Sequence, residues 1–406
     1  MKKNILNGIF FLVPLIITIF NLQVFVARFI SPSIAQLIAY SNIGLLLTGI
    51  LLNINHPGEY SRTARLWIIY YIIYFSFATL ASALYGTEAN ILFSSIPFIY
   101  VLAFYIYLKN EDNRLIFKNV ILYSFVTSSL LAIYLYNINF DLDRNGIYIY
   151  KLDRAEGVFG DANNTALVAI LAFILVYKNN FPKKKYYKLL KIILAGFMFY
   201  TITLTFSTTG FIVFLISIIL LNHNFFKGLK LTAALSILPI VYLVLINIDK
   251  LTSGINLVGQ QRDKINNVVN LLSFNTDKVN DSGRSDLLLN LLEHVYQHPI
   301  IGNGIDFAIS LHGHNTIVGV WADAGIFTLI FFLFMLSIYF KRTLNLSREL
   351  SFFILSLLLT MCIFMLSLQT VINQPYLIAL FIYIGYIIDY PINTQSFPST
   401  EKLKNQ

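Results

Sequence analysis

Residues 283–328 read GRSDLLLNLLEHVYQHPIIGNGIDFAISLHGHNTIVGVWADAGIFT. Here apolar and polar chemistry meet at close quarters. After Arg284, Leu287, Leu288, Leu291, Leu292 and Val295 fall on one face at the helical period, which predicts an amphipathic helix. His298-Pro299 ends it, because the residue before a proline resists the helical region. Gly302-Asn303-Gly304 makes a turn. His312 and His314 follow, and an apolar helix begins at once. An arginine and two histidines are thus expected just outside a membrane, beside a helix lying along its surface.

The rest of the chain supplies that membrane. Hydrophobic residues make up 57% of the 406 and charged ones 12%, against about 45–50% and 25% in soluble domains. So little charge cannot cover a soluble surface of this size. The expected fold class is an all-α polytopic integral membrane protein. The net charge of +9 does not point to nucleic acid, because the basic residues sit in short clusters between apolar segments, where they set topology. The single cysteine, Cys362, lies in an apolar segment and excludes an intramolecular disulfide or a cysteine zinc site. Lys2-Lys3 precedes an apolar run too long for a cleaved signal core, so a retained first helix is expected.

About twelve spans are long enough to cross a bilayer core. They lie near 6–30, 34–54, 65–85, 91–108, 117–137, 163–177, 188–206, 208–222, 230–248, 315–340, 351–371 and 374–390. Alternate loops hold most of the lysines and arginines, including Arg62 and Arg65, Lys109, Arg114 and Lys118, the Lys183–Lys185 run, and Lys341 and Arg342. Basic residues of short loops stay in the cytoplasm, which puts both termini there. The domain plan is nine helices over 1–248 with an outer loop at 138–162, a large outer loop at 249–314 between helices nine and ten, three helices over 315–390, and a tail at 391–406. Loops this long are usually functional. No internal repeat and no glycine-rich phosphate loop is present.

Nine basic residues stand on the outer side against this bias, among them Arg154, Arg262 and Arg284. Arginine's fixed fork of donors matches phosphate oxygens bidentately. The three could hold a diphosphate, pair with nearby carboxylates such as Asp153, Glu156 and Asp161, or bind lipid headgroups. His314, followed by Asn315, stands where a helix starts. Its ordinary pKa of about 6.5 suits proton transfer, and neighbouring arginines would keep it neutral. His312 competes with it from two residues away. His294 and His298 read as structural, and His56 and His223 fall on the cytoplasmic side. Asp323 is an acid inside a membrane helix, either functional or a structural partner for an arginine or a backbone group.

The opening stretch resembles the O-antigen ligase and O-antigen polymerase family of bacterial membrane proteins (the Wzy and WaaL proteins). The residues that carry this are Arg284, His298-Pro299-Ile300-Ile301-Gly302-Asn303-Gly304, His314-Asn315 and, after nine intervening residues, Gly325-Ile326-Phe327-Thr328. Arg154-Ala-Glu-Gly-Val-Phe-Gly-Asp-Ala-Asn163 resembles the family's Arg-x-x-Gly-x-Phe-x-(Asp)-x-Asn segment. Together the motifs cover roughly residues 150–340. One run departs from the pattern. Phe206-Ser207-Thr208-Thr209-Gly210 has threonine where many members have arginine, which weakens the ligase reading more than the polymerase one.

The resemblance implies a glycosyltransferase in the bacterial inner membrane, active at the periplasmic face. It implies a glycan on undecaprenyl diphosphate as donor and a lipid-linked glycan, or lipid A core, as acceptor. It places the essential histidine at His314 and the diphosphate on Arg154 and Arg284, with Arg262, Asn315 and Asp323 as further candidates. No cofactor or metal is required, because the arginines supply the positive charge. A chain-length regulator is an expected partner. Polymerase stands ahead of ligase. A flippase or other secondary transporter is the non-enzyme alternative, but transporters place polar residues at midplane and carry inverted repeats.

Overall fold

The computed structural model describes all residues except 1, 88–89, 143–145, 148–151, 180–184, 225–241, 244–245, 252–253, 255–257, 276, 278–282 and 392–406. Most of the span expected at 230–248, the tail, and Arg144, Lys151, Lys184 and Lys278 therefore lie outside the described residues.

The chain is mostly helical. In order it forms α1 (Lys2–Ile19), α2 (Leu22–Phe29), α3 (Pro32–Asn53), α4 (Arg65–Tyr85), α5 (Ile91–Ser94), α6 (Ile96–Tyr107) and α7 (Glu111–Asn137). A two-stranded hairpin of β1 (Phe140–Asp141) and β2 (Gly146–Ile147) follows, paired antiparallel with Phe140 opposite Ile147. Then come α8 (Ala162–Lys178), α9 (Lys185–Leu204), α10 (Thr208–Leu221), α11 (Ile248–Leu251), α12 (Gly259–Leu272), α13 (Arg284–Gln297), α14 (Phe307–Ser310), α15 (Thr316–Thr343), α16 (Arg348–Phe364) and α17 (Pro375–Asp389).

Among the described residues five helices, α3, α4, α7, α9 and α15, are long and apolar enough to cross a membrane, and six if the bent pair Asn7–Ile19 and Leu22–Phe29 counts as one. The span expected at 6–30 is bent by 61°. Asn21 sits at the bend in a left-handed conformation (φ 49°), and its side chain donates to Val158 O at 3.0 Å. The span expected at 91–108 is split at Ser95.

Shorter apolar helices occupy the centre. From Ala162 to Val176 every residue of α8 except Asn164 is buried, and α17 is buried from Tyr376 to Ile388. Their burial places these two helices inside the bundle. α8 packs on α7, α9, α10 and α16, while α4 lies along α15. At the end of the bundle away from His314, the Asp389 carboxylate accepts from Ser61 Oγ (2.6 Å), Thr63 N (2.8 Å) and Thr63 Oγ1 (2.7 Å), with Arg342 at 3.2 Å. This ties the ends of α15 and α17 to the start of α4.

Candidate active site

The motif His298–Gly304 folds into a break in α15. Gly325, inside that helix, has φ 77° and ψ 179°, which interrupts the helical ladder. In an unbroken helix the Ala322 and Asp323 carbonyls would accept from residues 326 and 327. Instead Asn303 N donates to Ala322 O (2.7 Å) and Gly304 N to Asp323 O (3.0 Å). The freed Ile326 N–H donates to Pro299 O (3.0 Å), and Trp321 Nε1 donates to the same oxygen (2.9 Å). Backbone groups at membrane depth must find partners inside the protein, and each half of the motif satisfies the other. The approach is tight. A Cβ on Gly302 would lie 2.4 Å from Asp323 O.

The amphipathic helix α13 covers this junction. Leu291 and Val295 are buried with Ala308 and Ala322, while Tyr296 on the other face is exposed. A Cβ on Gly313 would lie 2.4 Å from Leu291 Cδ2, so glycine lets the 312–314 loop pass under α13. His314 follows with φ 48°, unusual for a residue with a Cβ. Its N–H donates to Gln369 Oε1 at 3.3 Å. Asn315 caps α15, its Oδ1 accepting from Ile317 N and Val318 N at 3.0 Å each. Thr316 is pinned to the 365–374 loop through Met365 O (2.7 Å) and Leu368 O. The histidine is thereby fixed by a cap on one side and a loop on the other.

Arg154 reaches the site from the loop before α8. Its Nε donates to Thr205 O at 2.7 Å, and Ala155 N donates to Leu204 O at 2.9 Å. The elbow it meets is Thr205–Ser207, where Ser207 caps α10 and donates to Asn163 Oδ1 at 2.8 Å. Arg154 therefore stands at the run Phe206–Gly210. Asp161 caps α8, accepting from Asn164 N at 2.7 Å, and Gln374 Nε2 donates to Asn164 Oδ1 at 2.7 Å.

Electrostatics show which of these groups are neighbours. Burial, first, and then the Arg284 charge hold His314 below its ordinary value; Asp161 opposes them, and His312 adds a smaller lowering. Burial lowers Arg154 as well, with Asp161 opposing and Arg284 reinforcing. Arg284 and Asp161 thus act on both His314 and Arg154. Neither arginine forms an ion pair among the described residues. Guanidinium groups such as those of Arg154 and Arg284 suit an anion. A neutral imidazole beside them can accept a proton.

The other candidates are placed as follows. Arg262 is exposed on α12, next to Gln261, whose Nε2 donates to Asp153 O at 2.7 Å. Asp323 is buried, and its oxygens accept from Ala308 N (2.7 Å) and the Tyr74 hydroxyl (2.9 Å). His312 is exposed, with φ 54°. His298 stacks on Tyr85 with ring centres 3.8 Å apart, and His294 meets Phe307 edge-on at 5.2 Å. Sequence reasoning missed the loop 365–374 and gave Asp161 no role of its own. The signal for the loop was its polar density, with Gln369, Thr370, Asn373 and Gln374 between two apolar helices.

The fold and site define a membrane protein with a cationic, histidine-bearing centre at one end of its helical bundle. Residues 193–333 match the family model Wzy_C, described as O-Antigen ligase. The match bears out the resemblance read from the motifs and points to O-antigen ligase or polymerase activity of the glycosyltransferase kind. No curated protein matches the chain.

Proposed function

We propose that this protein is a polymerase of undecaprenyl-diphosphate-linked oligosaccharide repeat units. In this reading it spans the inner membrane twelve times, has both termini in the cytoplasm, and works at the periplasmic face. The observation that carries the reading is that Arg284 and Asp161 act on both His314 and Arg154, with His314 held through Gln369 and Arg154 through the Thr205 carbonyl.

The diphosphate of the donor binds Arg154 and Arg284. His314 accepts the proton of an acceptor hydroxyl as that oxygen bonds to the anomeric carbon of the donor. The bond from that carbon to the diphosphate breaks, and undecaprenyl diphosphate leaves with the electron pair. The arginines stabilise the charge that grows on it. The next lipid-linked repeat unit is the acceptor, and the growing glycan is transferred to it. Arg262, exposed on α12, serves as an outer contact for the diphosphate or its sugar.

A ligase would run the same chemistry onto lipid A core. The Thr208 departure favours the polymerase. The surface glycan of a deletion strain decides between them. Single-repeat glycan on the surface supports the polymerase. Bare core with long lipid-linked chains accumulating means the ligase. Unchanged chemistry with repeat units trapped on the cytoplasmic side means a transporter.

A further inference from the structure

Between α4, α14, α15 and the 365–374 loop lies a cavity of about 20 Å³ whose wall includes Tyr70, Tyr74, Asp306, Asp323, Gln369 and Asn373. Two donors on this wall are buried with no acceptor among the described residues. Tyr70 is 0% exposed and its hydroxyl is unpaired; Gln369 Nε2 is unpaired as well. The Gln369 amide cannot turn over to hide its nitrogen, because its Oε1 accepts the His314 N–H and only oxygen can do so. The two acids of the wall are partly engaged already. Asp323 takes Ala308 N and Tyr74 Oη, and Asp306 takes Ser94 Oγ and, at 3.4 Å, Asn373 Nδ2. Each carboxylate oxygen has a lone pair left.

Buried donors without acceptors are costly and rare. A site of about 10–15 Å³ with two to four polar partners is enough for one water. This cavity meets both conditions. A water accepts two hydrogen bonds and donates two, which matches two orphaned donors facing two acids.

We propose that the cavity binds one ordered water, accepting from Tyr70 and Gln369 and donating to Asp306 and Asp323, and that Gln369, so fixed, positions His314. His314 needs such support, since its left-handed backbone is not one it would hold by itself. The role of Gln369 rests on the reading of His314 as the base. Gln369 is a positioning residue, because it meets the His314 main chain and not the substrate. The water links a tyrosine on α4 to the catalytic loop, so α4 tunes turnover without touching the glycan.

The test uses the full chain in lipid nanodiscs, with Tyr70→Phe, Gln369→Met and the double variant. Tyr70→Phe is expected to lower kcat roughly five- to tenfold, the scale of one hydrogen bond, with KM unchanged. Gln369→Met is expected to lose more, and the double variant no more than Gln369→Met alone. A structure of the wild type at a resolution that shows waters should hold one peak between Tyr70 and Gln369. Additive losses, or no peak, overturn the proposal. A His314→Ala protein that still turns over would overturn the base reading instead, and the water peak would persist.

Discussion

A Cβ on Gly325 would lie 2.0 Å from the carbonyl oxygen of Ile300. The two residues belong to motifs 25 positions apart, and their contact is what seats the loop in the broken helix. Gly325→Ala would force that contact open and put a side chain at φ 77°, ψ 179°, a region that costs residues with a Cβ about 1–3 kcal/mol. The variant should unfold at a lower temperature in detergent, or fail to accumulate. Gly196→Ala is the control. Nothing lies within 4 Å of a Cβ there, inside α9, and alanine favours a helix by about 1 kcal/mol. Equal losses in the two variants would mean that the loop is not seated as described.

The arginine clamp makes a second prediction. Arg284→Ala should abolish glycan transfer, and Arg284→Lys should restore little, since lysine lacks the planar fork. Arg154 should behave the same way, and its Nε contact to Thr205 O adds a reason that lysine cannot replace it. Loss of charge-assisted contacts to a leaving diphosphate should cost on the order of a hundredfold in rate. Full activity in Arg284→Lys would reduce the site to bulk charge, as for a lipid headgroup. Arg262→Ala, exposed on α12, should lose less than either.

The pH dependence follows from the neighbours of His314. Burial and Arg284 hold it below 6.5, while Asp161 pulls it up and His312 pushes it slightly down. The base works neutral, so activity should be present at and above pH 6.5 and fall only as the pH drops through the lowered value. Arg284→Gln removes a lowering influence, so the His314 titration should move to higher pH. Asp161→Asn removes a raising one and should move it to lower pH. Histidine ring signals, followed by NMR across pH 4.5–8 as a range chosen around the ordinary value of about 6.5, report this without any need for turnover. Shifts of the opposite sign would separate these charges from His314.

Much of the site was legible because its parts are local. The face of Leu291 and Val295, the stop at His298-Pro299, the turn at Gly302-Asn303-Gly304 and the helix start after His314 each follow from a few adjacent residues. The docking of that turn into the helix at Gly325 was not, because nothing in a hydropathy pattern shows a helix with a glycine as broken. The span at 6–30 shows the same limit. Its apolar run hides the bend at Asn21, whose side chain meets Val158 far along the chain. Asp323 was legible as a costly buried acid, but its partners Tyr74 and Ala308 come from other segments. Gln369 and Gln374 fell inside the expected spans 351–371 and 374–390, whereas α16 ends at Phe364 and α17 begins at Pro375, which leaves both in the loop between them.

The last prediction separates the two histidines of the 312–314 loop. Both have left-handed backbones, at φ 54° and 48°, so strain does not tell them apart. Their surroundings do. His314 is half-buried, fixed through its own N–H to Gln369, and followed by the Asn315 cap. His312 is exposed, and its N–H donates to Ile309 O within the loop. A general base must hold its geometry to within hydrogen-bond reach of the hydroxyl it deprotonates. His314→Ala should therefore cost about 10²–10⁴-fold in transfer while the protein inserts at normal levels. His312→Ala should lose little, since it removes only a minor charge near the base. Complementation of a deletion strain, read by the length of its surface glycan, scores both variants side by side. The reverse ranking would hand the base role to His312, and equal mild losses would mean that proton transfer to either ring does not limit the rate.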